Sequence, residues 1–94
     1  MRDTLATRKK VYAERVHAKR RALERAGVKY NRFEMRRMAE QIQSGYSVCL
    51  ERQSLTRSIH VLAFAPFNGA PTRVHVVVYN NKTKQVVSFL DGLI

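Results

Sequence analysis

Residues that cross-link, rigidify or anchor a chain are scarce in this sequence. Its 94 residues include no tryptophan, one cysteine, two prolines and four glycines. So few prolines and glycines exclude a fibrous or linker-like chain, and the single Cys49 excludes an internal disulfide and a cysteine-based zinc site. No apolar run approaches the roughly 18 residues of a membrane span, and no apolar segment of the secretory type follows the charged N-terminus. We therefore expect a cytoplasmic protein with no membrane partner.

Acidic residues are scarce as well. Seven Asp and Glu stand against 18 Lys and Arg, which gives a formal net charge of +11. The 45% apolar content is typical of a globular chain, and the length fits a single domain, residues 1–94. A charge this positive in a small domain indicates a polyanionic partner, most often nucleic acid. Charge by itself does not choose between RNA, DNA and an acidic protein.

The first 26 residues are the most basic part of the chain, with nine Lys and Arg against three acids. Residues 4–26 are predicted to form one long helix, because the segment lacks Gly and Pro and is rich in Ala, Arg, Lys and Glu. Asp3 or Thr4 would be its N-cap, and Gly27 would end it. The spacing predicts a narrow apolar stripe made of Leu5, Tyr12, Val16, Leu23 and Ala26.

A second helix is predicted over residues 31–44. Asn31, followed three residues later by Glu34, is typical of a capping box. Gly45 would end the helix. Its buried face would consist of Met35, Met38, Ala39 and Ile42, which recur with helical spacing.

From Tyr46 onward the apolar period changes from 3.6 to 2. Four strands are predicted, at residues 46–52, 58–65, 73–79 and 85–90, with short turn-rich segments between them. Short connections favour an antiparallel meander. The fold class is therefore α+β, with two N-terminal helices packed on one face of a four-stranded antiparallel sheet (α-α-β-β-β-β).

The two faces of this sheet can be separated by alternation. The purely apolar sets, such as Val74, Val76 and Val78, are expected to face the helices. A hairpin centred on Asn68-Gly69 would then pair Leu62 with His75, and the last hairpin would bring Ser88 beside His75. The open face would carry His60, Arg73, His75, Tyr79 and Ser88.

Such a cluster fits metal-independent RNA cleavage through the 2′-hydroxyl. His60 and His75 would serve as base and acid, because histidine exchanges protons near neutral pH. Arg73 would bind the phosphate, and Ser88 would hydrogen-bond it or orient a histidine. Tyr79 would stack on a base. Two-metal hydrolysis fits poorly because the few carboxylates do not converge, so no metal and no cofactor is expected.

A second group of candidates is basic. The first helix would lie along a nucleic acid through Arg8, Lys9, Lys10, Arg15, Arg20, Arg21 and Arg25. Arg57, between two predicted strands, is a weaker phosphate candidate.

The strand-rich half also resembles a known superfamily. Three segments carry the resemblance: Ser54–His60, Arg73–Tyr79 and Lys84–Leu90. Together with the helix that precedes Gly45, they resemble the small ribonuclease toxins that include barnase, EndoU, colicin nuclease domains and RelE. RelE-like domains are the most similar of these, and the resemblance covers about residues 31–91. It implies a metal-independent RNase that acts on free or ribosome-associated RNA, with an acidic antitoxin as partner and with His60, Arg73, His75 and Ser88 as site residues.

Three functions remain open on the sequence. The first is a RelE-like endoribonuclease of toxin type. The second is a non-catalytic nucleic-acid-binding or ribonucleoprotein component, in which the basic helix would matter more than the histidines. The third is a phage-type inhibitor or regulator that binds an acidic protein surface.

Overall fold

The computed structural model describes the backbone of residues 5–90 and the side chains of residues 9–90. Within them, two helices precede a four-stranded antiparallel sheet of strand order β1-β2-β3-β4, so the predicted α+β fold is confirmed. The predicted caps Asp3 and Thr4 lie outside the described residues. The elements are α1 (Leu5–Ala26), α2 (Arg32–Gln43), β1 (Val48–Arg52), β2 (Arg57–Phe64), β3 (Arg73–Asn80) and β4 (Gln85–Phe89).

The end of α1 and the start of α2 have the predicted chemistry. Gly27 has a φ of 68° and ends α1 in a left-handed (αL) cap, in which its amide donates to the Leu23 carbonyl at 3.1 Å and the Val28 amide donates to the Ala22 carbonyl. The capping box of α2 is present, with Asn31 and Glu34 each accepting from the other's backbone amide. Glu34 also accepts from the Phe67 amide at 3.0 Å, which ties the start of α2 to the β2–β3 connection.

The packing face of α1 differs from the predicted stripe. Tyr12, Val16 and Leu23 are 65%, 41% and 54% exposed, whereas Ala18 and Ala22 are fully buried. Leu5 lies outside the described side chains, and Ala26 is half-buried. The prediction was wrong because it placed the largest apolar residues inside. The helix instead turns its alanines to the sheet, where small side chains allow close approach to β4.

The packing face of α2 is the predicted one: Met35, Met38, Ala39 and Ile42 are all buried. Met38 is fully buried, and Gln41, at the edge of this face, donates to the Ala63 carbonyl at 3.0 Å. This bond fixes α2 over β2.

The register of β2 and β3 is the predicted one, with Leu62 opposite His75 and His60 opposite Val77. The register of β3 and β4 is not. Ser88 pairs with Val78, because a bulge between Val78 and Tyr79 shifts the last hairpin.

The faces of the sheet are inverted relative to the prediction. The helix side carries Leu62, Phe64, Tyr79 and Phe89, together with His75, and it forms the core with the two helices. The β-branched set around Val61 and Val74 is on the open side. Alternation grouped the residues of β2 and β3 correctly, whereas in β4 the bulge breaks it, so that Val86 and Phe89 both lie in the core. The larger leucine and aromatic side chains bury more apolar area than valines do, and they select the inner face.

We predict that Ala22→Leu destabilises the protein by about 1–3 kcal/mol, because the added carbons have no space between α1 and the sheet. The neighbouring Leu23→Ala change should alter the free energy of unfolding by less than about 0.5 kcal/mol, since Leu23 faces solvent. Urea denaturation of both variants measures this. Equal effects would contradict the observed orientation of α1.

Candidate functional site

His75 is a core residue. It is 0% exposed, and its Nε2 lies 2.7 Å from the hydroxyl of Tyr30, a residue that is itself 1% exposed. The rings of Tyr30 and Phe89 pack edge-on against the imidazole, with centroids 5.6 and 5.1 Å away. The predicted position of His75 on an open face is therefore wrong. No local pattern indicated that Tyr30, 45 residues away, would supply a partner for the imidazole inside the protein.

His60 is half-buried on the same side of the sheet. Its Nδ1 is hydrogen-bonded to the Ser47 hydroxyl at 3.0 Å, and its Nε2 to the Ser58 hydroxyl at 2.8 Å. Burial lowers the pKa of His60 below its ordinary value of 6.5. Both ring nitrogens thus have protein partners, and the imidazole is held neutral near pH 7.

Of the other members of the predicted cluster, Tyr79 packs edge-on against His60, with ring centroids 5.9 Å apart, whereas Ser88 and Arg73 lie elsewhere. Ser88 pairs with Val78 on the face opposite His75. Tyr79 is 2% exposed, and burial raises its pKa, so it presents no ring for a base to stack on. Arg73 is exposed at the start of β3, on the helix side. The structure therefore places no two of these groups together at the surface.

Cys49 lies beside a histidine in the sheet. Its exposed position on β1 pairs with His60 on β2. Both imidazole nitrogens are taken up by serines, however, so no base is directed at the thiol.

The predicted basic residues of α1 have different surroundings. Arg25 donates to the Phe89 carbonyl at 2.8 Å, which joins the end of α1 to the end of β4. Arg21 forms an ion pair with Glu24 at 3.0 Å. Arg8 lies outside the described side chains. Of the other predicted basic residues on α1, Arg15 is half-buried, and three are exposed: Lys9, Lys10 and Arg20. Arg57 is exposed at the start of β2.

A groove of about 290 Å³ between α1, α2 and the turn that precedes β4 is rich in positive charge. Four cations line it, against the single carboxylate of Glu40. The lining also includes Ala39, Gln43 and Gln85. The cations are Arg15, Arg32, Arg36 and Lys84. Of these, only Arg15 was among the sequence candidates.

Two features place the other cations in the groove. Arg32 and Arg36 are four residues apart on α2, so they share a face that borders the buried one. That spacing was readable in the sequence. Their juxtaposition with Lys84, 48 or more residues along the chain, was not, because it depends on how α2 packs over β4.

Asn80 positions the turn that carries Lys84. It is 2% exposed, and its side-chain oxygen accepts from the amides of Lys82 and Thr83. Its amide nitrogen donates to Glu14 of α1 at 3.0 Å, next to Arg15 in the sequence. Lys84 itself has a φ of 60°, a left-handed conformation that favours glycine. The turn is thus held against α1. The left-handed backbone at Lys84 costs conformational free energy, because lysine, unlike glycine, has a Cβ.

The open face of the sheet is aliphatic. A shallow depression of about 530 Å³ there is lined by Leu50, Glu51, Ile59, Val61, Val74, Val76 and Leu90. Val74 and Leu50 are each 58% exposed. The lining of this depression offers neither the cations nor the polar side-chain donors that a phosphate needs.

Over residues 5–90, no three His, Cys, Asp or Glu side chains come together as a metal site. Neither helix contains a stretch long and apolar enough to cross a bilayer. Comparison with protein-family models, curated proteins and solved structures found no match to this chain.

The His60 environment predicts a pH-dependent stability. Its folded-state pKa is lowered, so the unfolded state binds more protons and the free energy of unfolding falls as the pH drops below about 7.5. His60→Gln should flatten the stability profile between about pH 7.5 and 5.5, above the range of ordinary carboxylates. His17→Gln, at an exposed position on α1, is the matched control and should leave the slope unchanged. Urea unfolding at several pH values measures both, and an unaltered slope in His60→Gln would contradict the assignment.

Proposed function

We propose that this protein is a non-catalytic nucleic-acid-binding protein that holds the phosphate backbone in the groove between α1, α2 and the β3–β4 turn. The observation that carries the proposal is the convergence of Arg15, Arg32, Arg36 and Lys84 on one groove. Guanidinium groups bind phosphate oxygens through two parallel hydrogen bonds, and lysine adds a point charge.

The side chains that line the groove favour a phosphate over an apolar ligand. Its lining is dominated by charged and amide side chains, with Ala39 as the one apolar residue. Arg32 also lies 4.9 Å from the centroid of the exposed Phe33 ring, so an aromatic surface is available close to the cations. Aromatic rings next to a basic groove are typical of surfaces on which nucleobases stack.

The endoribonuclease hypothesis lacks an assembled site. It needs two histidines and an arginine around one scissile phosphate, whereas His75 is enclosed by the core and Ser88 is on the other face. The likeness to RelE-like toxins and the acidic antitoxin it implies stay predictions. We expect RNA that is incubated with the protein in excess EDTA to remain intact. Cleavage to 2′,3′-cyclic phosphate ends would overturn the non-catalytic proposal.

We predict that Arg36→Gln and Lys84→Gly each weaken binding of a short single-stranded nucleic acid about tenfold, or roughly 1.4 kcal/mol. Each should also reduce the slope of log K against log salt, measured between about 50 and 200 mM, by about 0.7–0.9. Lys84→Gly is informative because it removes the charge while relieving the left-handed backbone. Fluorescence anisotropy with RNA and DNA of the same sequence measures affinity and distinguishes the two nucleic acids.

Arg57→Gln is the matched control, because it removes one exposed cation that does not line the groove. It should change affinity far less than Arg36→Gln. Equal losses in all three variants would show that net charge rather than the groove determines binding, and that result would overturn the proposed site.

A further inference from the structure

An apolar stripe on α1 has no partner within the described residues. Tyr12, Val16 and Leu23 lie within about 40° of one another around the helix axis, since each residue advances about 100°. They are about 120° around the axis from the buried Ala18 and Ala22. All three are more than 40% exposed. Their spacing of four and seven residues is typical of a seam that packs against another helix.

The borders of this stripe are positive. Lys9 and Arg20 flank it on one side, and Arg15 and Lys19 on the other. The two acids of the described part of α1 are engaged elsewhere. Glu14 accepts from Asn80, and Glu24 pairs with Arg21. No carboxylate is therefore left on α1 to balance the four cations that border the stripe.

We propose that the α1 stripe is a docking surface for an acidic amphipathic helix of a partner protein. Apolar residues of that helix would cover Tyr12, Val16 and Leu23, and its flanking Asp and Glu side chains would pair with the bordering cations. Such a pairing combines the apolar seam of a coiled coil with complementary charges on its two sides.

Charge complementarity separates this partner from the others. A second copy of α1 would bring four cations against four of the same sign, which opposes association. A nucleic acid would satisfy the cations but would leave the aliphatic side chains of Val16 and Leu23 without an apolar contact. A helix that is apolar along one line and acidic on either side satisfies both features of the surface.

The test uses three synthetic peptides of about three heptads each, titrated by fluorescence anisotropy against the full chain. The first has leucines at seam spacing flanked by glutamates. The second replaces the flanking glutamates with lysines, and the third keeps the glutamates but replaces the leucines with alanines. The first should bind, and the other two should bind at least about tenfold more weakly.

Leu23→Ser should weaken binding of the first peptide about tenfold, and Val16→Ser should also weaken it. Leu55→Ser is the matched control and should bind as the unmodified chain does, because Leu55 is 90% exposed on the β1–β2 connection. Circular dichroism checks that the helix is intact in each variant. Nucleic-acid affinity should be unchanged in Leu23→Ser, so a failure here is distinguishable from a failure of the groove proposal.

Four results would overturn the inference. The first is absence of binding to the glutamate-flanked peptide, and the second is equal binding by Leu23→Ser. The third is self-association of the chain that Leu23→Ser abolishes, which would assign the stripe to a second copy. The fourth is a loss of nucleic-acid affinity in Leu23→Ser as large as that in Arg36→Gln, which would assign the stripe to nucleic acid.

Discussion

The hydrogen bond between Tyr30 and His75 is the interaction on which the arrangement of the layers depends. An imidazole inside a core is costly unless its polar nitrogens have partners, and Tyr30 provides one at 2.7 Å from the short connection between the helices. That partner allows the face bearing His75 to be the inner one. It also fixes the point at which the helix pair meets the sheet, because the Tyr30 ring packs on Phe64 and Phe89 from two strands.

The remaining surfaces follow from that choice of face. With Phe89 and Tyr79 inside, α1 lies close to β4 through Ala18 and Ala22, and its larger apolar residues turn outward. The same packing brings the β3–β4 turn against α1 and leaves a groove between the two helices and that turn. The aliphatic side of the sheet is left uncovered by the helices. The basic groove and the apolar stripe are thus both consequences of the way α1 approaches the sheet.

The sequence was sufficient for much of what local spacing sets, although the packing face of α1, which was also predicted from spacing, was wrong. Element order, the Asn31–Glu34 capping box, the buried face of α2 and the pairing of Leu62 with His75 all depend on periodicity or turn chemistry over a few residues. Local patterns did not determine which face of the sheet packs on the helices, because both faces are largely apolar. His75 was predicted to be exposed because histidine is polar, and its buried partner Tyr30 is distant in the sequence. The groove was missed for the same reason, since Lys84 reaches Arg36 only through the packing of separate elements.

Arg15 connects the two proposed functions. It lines the groove, and it also borders the stripe on α1, so a phosphate and a partner's carboxylate would compete for one half-buried guanidinium. One guanidinium cannot pair fully with a phosphate and a carboxylate at once. Each ligand must therefore lower the protein's affinity for the other by the same factor. An acidic helix on α1 would therefore reduce affinity for nucleic acid without entering the groove. Under the two proposals, α1 contributes Arg15 to the nucleic-acid site and also carries the stripe whose occupation by a partner helix would lower the affinity for nucleic acid.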